Sequence, residues 1–182
     1  MEDYISAGHD IQHVTLLTQK AHKEADKADS VVRLYFENAL ITYARPFATG
    51  VRIRLQPKDI FGERVDAIEY HNYLIEQRNK LVAHNVNPFE ETIVGVTVNA
   101  DGQLIGVGNL RGRLIAFTKN DYEQFNKLAN TVLGFINGKL KELELKVLSQ
   151  ARQLSAEELL KLEPVRFTAP GAESVLKSKR KT

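Results

Sequence analysis

The sequence contains no cysteine, and this absence excludes several kinds of site at once. Disulfide bonds, thiolate zinc sites, iron–sulfur clusters and cysteine nucleophiles all require the missing thiol. Long apolar runs are missing too, since no stretch approaches the roughly 20 residues that a membrane-spanning helix needs. The first residues are acidic and polar, which does not fit a secretory signal peptide. We therefore expect a cytoplasmic protein.

A large excess of charge of one sign is also absent, because the net charge is only +2. The last 19 residues carry five basic side chains and one glutamate, so the preceding 163 residues sum to a net charge of −2. Proteins that coat nucleic acid through bulk charge usually have a strongly basic body. Any contact with nucleic acid must therefore be local.

The composition that is present fits one soluble globular domain with an appendage. Hydrophobic residues make up 43% of the 182 residues, enough to bury a full core. We predict a helical domain over residues 1–150, interrupted by a small sheet at 92–117. Residues 151–182 are predicted to form a short helix and a mobile basic tail.

Apolar residues recur at helical spacing along most of the chain. Ser30 is a plausible N-cap, Pro46 should end or kink the helix that Ser30 begins, and Asn120 with Glu123 resembles a capping box. A loop with a possible short strand at 51–55 is expected over 49–62. The predicted helices cover residues 9–28, 30–46, 61–84, 120–149 and 155–162.

A short central segment has the pattern of strands. Residues 92–98 and 104–107 are β-branched or apolar, and the turn sequence Asn99-Ala-Asp-Gly102 separates them. A second turn at 109–112 and a third run at 114–117 complete a predicted three-stranded antiparallel meander that caps one end of the helices. The fold class is thus mainly α with a small inserted sheet.

The helix predicted over 61–84 carries two basic residues within its apolar stripe. His71 and Arg78 lie seven residues apart and so share one helix face. A buried arginine is costly unless it is paired or lines a functional cleft, so these residues either satisfy each other in an interface or form a site. In a site, Arg78 could neutralise a phosphate, and His84 could exchange a proton near neutral pH.

The segment Arg78-Asn-Lys-Leu-Val-Ala-His84 resembles the signature of the HEPN family. That signature is an arginine, a polar residue, a short gap and a histidine, on a helix within a helical bundle. The resemblance implies a homodimer in which two motif helices pair about a two-fold axis and face one cleft. It also implies metal-independent RNA cleavage, with His84 as base or acid, Arg78 stabilising phosphoryl charge and Asn79 orienting His84 or the phosphate.

The function implied by the resemblance is an endoribonuclease in defence or stress response, which an antitoxin-like protein could restrain. The alternative is a non-catalytic RNA-binding or assembly module, in which Arg78 and His84 hold a dimer together. One departure concerns members that a partner nucleotidyltransferase modifies: their tyrosine two places after the histidine is Val86 here. Nucleotide modification at that position is therefore not supported.

Further basic residues are candidates for contacts with RNA. Arg45, Arg52 and Arg54 cluster around the predicted loop and could follow a phosphate backbone, although such a run is often only solvated. His71 and Lys80 of the motif helix are added to this RNA-binding set. His9 and His13 have a spacing that can chelate a metal but lack further ligands, so we expect no metal and no cofactor.

Overall fold

The chain folds into helices and one β-hairpin. A computed structural model describes residues 1–26, 30–50, 53–83, 90–113 and 117–164. Within these ranges the fold is mainly helical with a two-stranded antiparallel sheet. Its elements, in chain order, are α1 (Glu2–Glu24), α2 (Ser30–Ala44), a 3₁₀ turn (Arg45–Phe47), α3 (Pro57–Phe61), α4 (Val65–Gln77), a π-helical segment (Arg78–Ala83), β1 (Glu90–Val98), β2 (Leu104–Arg113), α5 (Lys119–Ala151) and α6 (Ala156–Leu160).

The core lies where α1 packs against α2 and α5. Three rings form its centre: Tyr43 lies edge-on to Phe125 at 5.2 Å between centroids, and Phe36 lies 5.6 Å from Phe125. Such edge-to-face contacts add to the gain from apolar burial. Asn126 of α5 donates to the Thr18 hydroxyl of α1 at 2.8 Å, which fixes the relative position of these two helices.

The first helix begins earlier than its apolar period predicts, at Glu2 instead of residue 9, and ends at Glu24 instead of residue 28. Ala7 and Gly8 are buried in the added turns. A Cβ on Gly8 would make an ordinary van der Waals contact with Ile136 of α5 at 3.5 Å, so α1 and α5 lie close together at this point. Small buried residues give little hydrophobic signal, which explains the error.

Pro46 ends the second helix, as predicted, and the chain continues as a 3₁₀ turn. The predicted loop over 49–62 is wrong in its last part, because Pro57 begins the short helix α3. Proline suits the first helical position, since the amide hydrogen it lacks has no partner there. Residues 53–56 are not a strand, and residues 51 and 52 of the predicted strand lie outside the described residues.

The helix predicted over 61–84 is divided in three. Gly62 has φ +60° and ψ −128°, a conformation that residues with a side chain rarely adopt, and it separates α3 from α4. From Arg78 onward the helix widens into the π-helical segment. Phe61 therefore belongs to α3, and the predicted end at residues 84–88 lies outside the described residues.

The first two predicted strands pair as a hairpin. Asn99 accepts hydrogen bonds from the amides of Asp101 and Gln103, which forms the predicted turn. The second predicted turn is wrong, because residues 109–112 continue β2 opposite β1. A third strand is not seen: Phe117 is not in a strand, and residues 114–116 lie outside the described residues. The described strand side chains are exposed, so the hairpin does not cap the helices.

The C-terminal helices start at capping boxes. Thr118 and Asp121 cap α5, two residues before the predicted Asn120 and Glu123 pair. Ser155 and Glu158 cap α6, close to the predicted start of that helix. Within the described ranges, no helix has both the length and the apolar character required to cross a membrane. The basic tail, residues 165–182, lies outside the described part of the chain.

Candidate functional site

A cavity of about 380 Å³ lies between the C-terminal end of α2, the segment after the 3₁₀ turn, and one face of α4. Its size is that of a pocket for a small organic ligand. It brings together three stretches of chain that are separate in sequence. The cavity is lined by Ile41, Ala44, Arg45, Phe47, Ala48, Arg54, Leu55, Pro57, His71, Asn72, Ile75, Arg78 and Asn79.

The segment that follows the 3₁₀ turn is tied back to form one wall of the cavity. The amide of Leu55 donates to the carbonyl of Pro46 at 2.9 Å, and the Leu55 side chain is buried. The guanidinium of Arg54 donates through Nε to the carbonyl of Phe47 at 3.0 Å. These bonds hold Arg54 at the cavity, with its Nε in contact with the loop.

Three guanidinium groups belong to the lining of this one cavity. Arg45 donates to Asp10 at 3.3 Å from an exposed position. Arg78 donates through Nη1 to the amide oxygen of Asn79 at 3.1 Å, which orients both side chains. Among the described lining residues there is no carboxylate, and the Asp10 carboxylate that pairs with Arg45 lies outside the lining, so Arg54 and Arg78 bring positive charge to the cavity. Arginine presents a planar fork of donors that matches phosphate or carboxylate.

His71 lies at the apolar side of the same cavity. It is only 3% exposed, and its ring centroid is 4.5 Å from that of Phe47. Its Nδ1 lies 2.9 Å from the Tyr43 hydroxyl. Burial lowers the pKa of His71 to about 4, because the imidazolium form loses its hydration. His71 is therefore neutral at pH 7, and it offers the site a ring and a hydrogen bond but no charge.

The same burial keeps the Tyr43 hydroxyl protonated. Desolvation raises the pKa of Tyr43 well above its ordinary value of 10, and the nearby Tyr70 adds to the rise. The hydroxyl then serves to fix the orientation of the His71 ring within the aromatic surroundings. In the sequence, Tyr43 has the pattern of an ordinary core residue, and only the fold shows that it supports the site.

Lys80 does not share the cavity. Its ammonium group lies 3.6 Å from the Glu76 carboxylate, one helical turn earlier, and both side chains are more than half exposed. An exposed pair of this kind stabilises a helix only slightly. Lys80 therefore lies outside the cluster in which the other basic residues meet.

Five of the eight predicted site residues meet at the cavity: Arg45, Arg54, His71, Arg78 and Asn79. His84 and Arg52, predicted for catalysis and for RNA binding, lie outside the described residues. Sequence reasoning missed Asn72, which lines the cavity beside His71, and the apolar floor that includes Phe47. The sequence position of Asn72, next to the predicted site residue His71, could have indicated it. No sequence signal indicates Phe47, because its place in the cavity depends on the turn at Pro46.

The π-helical segment starts at Arg78, at the edge of the cavity. A π-helical turn has a wider hydrogen-bonded ring than an α-helical turn, and such turns occur frequently at functional sites. Directly before it, Gln77 is 6% exposed, and its Oε1 has no hydrogen-bond partner among the described residues. The helix is thus irregular where the motif begins, which regular helical spacing could not predict.

The chemistry available from the described residues is anion binding beside an apolar surface. Within the described ranges, no three histidine, aspartate or glutamate side chains gather in a way that could hold a metal ion. No family model, curated protein or solved structure matches the chain. The features of this chain that indicate a function are therefore the geometry of the cavity and the motif that begins at Arg78.

Proposed function

We propose that the protein binds RNA in this cavity and cleaves it as a HEPN-like, metal-independent endoribonuclease. The observation that carries the proposal is the convergence of Arg45, Arg54 and Arg78 on one cavity whose described lining has no carboxylate. Phosphodiester groups of an RNA backbone supply negative charge for Arg54 and Arg78, while Arg45 also pairs with Asp10. The motif that begins at Arg78 supplies the candidate for proton transfer, His84.

The apolar side of the cavity supports a nucleotide rather than a bare anion. The side chain of Ile75 is partly exposed at the cavity, and the buried side chains of Phe47, His71 and Leu55 lie behind it. Apolar groups that contact a base or ribose beside basic groups are usual in single-stranded RNA sites. Because Ile75 and the arginines line the same cavity, one nucleotide can contact both.

The proposed reaction is a transfer within the RNA. The 2′-hydroxyl oxygen attacks phosphorus, the bond from phosphorus to the 5′-oxygen breaks, and a 2′,3′-cyclic phosphate remains. His84 accepts the proton of the 2′-hydroxyl or donates one to the leaving 5′-oxygen, water accepts or supplies the other proton, and Arg78 stabilises the charge on the phosphoryl oxygens. Asn79, held by Arg78, orients the phosphate or His84. His71 is not the proton carrier, because it is buried beside the Tyr43 hydroxyl and its pKa of about 4 makes it a weak base.

The test is cleavage of mixed RNA in EDTA by the wild type, His84→Ala and Arg78→Lys. Loss of a general acid or base slows a reaction by roughly 10²–10⁴-fold, so His84→Ala should lose that much activity. Arg78→Lys should also fail, since an ammonium group cannot copy the two-pronged contact with phosphate. His13→Ala, at an exposed position of α1, is the control and should retain full activity.

The outcome is decided by comparing these variants on RNA and on DNA of the same sequence. DNA has no 2′-hydroxyl and should stay intact. Equal residual cleavage by the wild type and His84→Ala would mean a contaminating nuclease. Circular dichroism must show that each variant is folded.

The second candidate function is RNA binding without cleavage, or assembly. It is favoured by one observation: His71, the histidine that lines the cavity, is buried and has a pKa of about 4, so within the described part of the site it is a weak base that serves binding better than proton transfer. This candidate predicts that labelled RNA binds the wild type and is released intact. If Arg78→Ala weakens the binding of RNA, and the wild type yields no cleavage product after long incubation, the binding function is favoured over the nuclease.

The proposal also covers the assembly and the cellular role of the protein. We propose a cytoplasmic homodimer that acts in defence or stress response, with an antitoxin-like protein as a further partner. In this setting the motif helices of two protomers share one cleft, and every other contact between these two protomers lies about the same two-fold axis, so one dimer is expected. Sedimentation equilibrium of the wild type and of variants with substitutions on α4 tests this arrangement, because these substitutions should weaken the dimer.

A further inference from the structure

The β-hairpin has one face that is built for burial but is bare in the single chain. Side chains alternate between the two faces of a strand, and directly opposed residues share a face. Val96 lies opposite Val107, and Val98 lies opposite Leu104. One face therefore presents Val94, Val96, Val98, Leu104 and Val107, which we call the valine face.

The valine face is solvent-exposed in the single chain. Each of its five side chains is between 54% and 75% exposed. The opposite face has one apolar pair, Ile93 and Leu110, but its centre carries only the small residues Gly95, Thr97, Gly106 and Gly108. Two further residues belong to the hairpin: Ile105 is exposed at the register shift beside Thr97 and Val98, and the polar Asn109 lies opposite Val94. An antiparallel ribbon whose apolar bulk is concentrated on one face has the pattern of a sheet covered on that side.

The part of the hairpin next to the turn lacks the charges that protect exposed strands. Glu90, Glu91, Arg111 and Arg113 lie at the far end of the two strands, whereas over residues 92–110 the only charged residue is Asp101, in the turn. Natural proteins usually place charges on exposed strands to prevent association, and a two-stranded ribbon alone is only marginally stable in water. The uncharged part of the ribbon is therefore the part that fits a partner surface.

We propose that the valine face packs against the valine face of a second copy of this chain. A two-fold contact uses the same patch on both copies, and an apolar patch without charges is complementary to itself. Homodimer interfaces are more apolar than contacts between independent partners, which rely on charge for recognition. Two such faces bury on the order of 1,000 Å², about the least area that a specific interface needs.

Other occupants fit the hairpin less well. Nucleic acid needs basic groups; the valine face has none, and Arg111 and Arg113, at the end of β2, are matched in number by Glu90 and Glu91 of β1. A membrane surface favours hairpin tips with tryptophan, tyrosine or lysine, whereas this tip has Asn99, Asp101 and Gln103. The surface is also separate from the cavity of Arg45, Arg54 and Arg78, so the dimer contact does not depend on the proposed RNA chemistry.

Because the chain has no cysteine, a single introduced cysteine can be cross-linked specifically, which tests this contact in the full-length protein. Val96→Cys places one thiol on the valine face, and Thr97→Cys places one thiol on the opposite face of the same strand. A short bismaleimide should link Val96→Cys into dimers and leave Thr97→Cys monomeric on a denaturing gel. Equal linking of both variants, or none of either, would overturn the proposal.

A second measurement uses charge instead of a cross-link. Sedimentation equilibrium should show a dimer of the 20.5 kDa chain for the wild type and for Thr97→Lys. Val96→Lys should raise the dimer Kd by roughly 100-fold or more, because each interface buries two such lysines. Both positions are exposed in the single chain, so both variants should fold, which circular dichroism checks.

Three results would contradict the proposal. These are a wild type that stays monomeric at high micromolar concentration, equal dimer Kd values for Val96→Lys and Thr97→Lys, and flotation of the wild type with vesicles of anionic lipid. The RNA assays of the cavity variants are independent of these results. A failure here is therefore distinguishable from a failure of the proposed nuclease.

Discussion

At the scale of single residues, the surroundings of His71 decide what it can do. A histidine on a motif helix could be a charged ligand for phosphate or a neutral core residue. The rings of Tyr43, Phe47 and Phe61 surround this one, and its Nδ1 lies within hydrogen-bond distance of a hydroxyl that stays protonated. His71 therefore shapes one wall of the cavity as a neutral ring and brings no charge to it.

The lowered pKa of His71 makes the free energy of unfolding depend on pH. Between about pH 4 and 6.5 the unfolded chain binds a proton at this residue and the folded chain does not. Stability from this residue is therefore present above pH 6.5 and falls as the pH drops towards 4. The loss between neutral pH and the folded-state pKa should be about 2–3 kcal/mol.

Urea titrations at several pH values measure this effect. His71→Gln keeps a hydrogen-bonding group near Tyr43 and should flatten the curve between about pH 4 and 6.5, relative to the wild type. His13→Gln, at an exposed position, is the control for replacing a histidine outside the core. If the His71→Gln and wild-type curves run parallel, the imidazole is charged in the folded protein.

At the scale of elements, the joint between α3 and α4 determines where the motif helix starts. Gly62 is the first residue of this joint, and its φ of +60° and ψ of −128° suit glycine. A Cβ at this position would meet no atom within 4 Å, so a substitution there changes only the backbone energy. The residue thus directs α4 towards the cavity without contacting the cavity itself.

Gly62→Ala should lower the free energy of unfolding by roughly 1–3 kcal/mol, the cost of holding a side-chain residue in a sparsely populated conformation. Gly134→Ala is the matched control, since Gly134 lies within α5 and its Cβ would also meet open space. Alanine favours a helix over glycine by about 1 kcal/mol, so this variant should gain stability. Chemical denaturation of both variants measures the two opposite shifts. Equal effects would show that Gly62 is not strained.

The elements differ in how well the sequence predicts them. Helices α2 and α5 follow long apolar periods, and the hairpin follows alternation around a recognisable turn, so local patterns suffice. Helix α3 is five residues long, too short for a period, and only Pro57 marks its start. Residues 109–112 have the composition of a turn, but pairing with β1 keeps them extended. Tertiary and cross-strand contacts override local preference at such places.

The candidate site was predictable only in part. The sequence shows His71 and Arg78 on one apolar stripe, because helical spacing is regular from one to the other. It also shows Arg45 and Arg54 around one loop. It cannot show that the loop faces the stripe, because that depends on the hydrogen bond between Leu55 and Pro46 across the turn. The proximity of these residues is a property of the fold.

At the scale of the whole molecule, the weak net charge and the local cluster of arginines predict how RNA binding depends on salt. A protein that neutralises few phosphates releases few counterions, with a slope of about −0.7 per phosphate for single strands. Replacing Arg45 and Arg78 together by alanine should therefore reduce the slope of log K against log salt by about 1.4. Arg54 is retained in this variant because it bonds the loop.

Fluorescence anisotropy of labelled single-stranded RNA between about 50 and 200 mM salt measures these slopes. A double variant in which Lys127 and Lys139 are replaced by alanine removes the same charge from α5, away from the cavity, and should keep the wild-type slope. Parallel lines for the Arg45 and Arg78 double variant and the wild type would place the phosphate contacts elsewhere.

The length of α5 has a consequence for the shape and motion of the molecule. The helix has 33 residues and is about 50 Å long, but its last fully buried residue is Ile136, near the middle. A helical stretch of some 15 residues with few tertiary contacts is barely stable in water. We therefore expect amide hydrogens in the outer half of α5 to exchange faster than those before Ile136, because this half can open without disturbing the core.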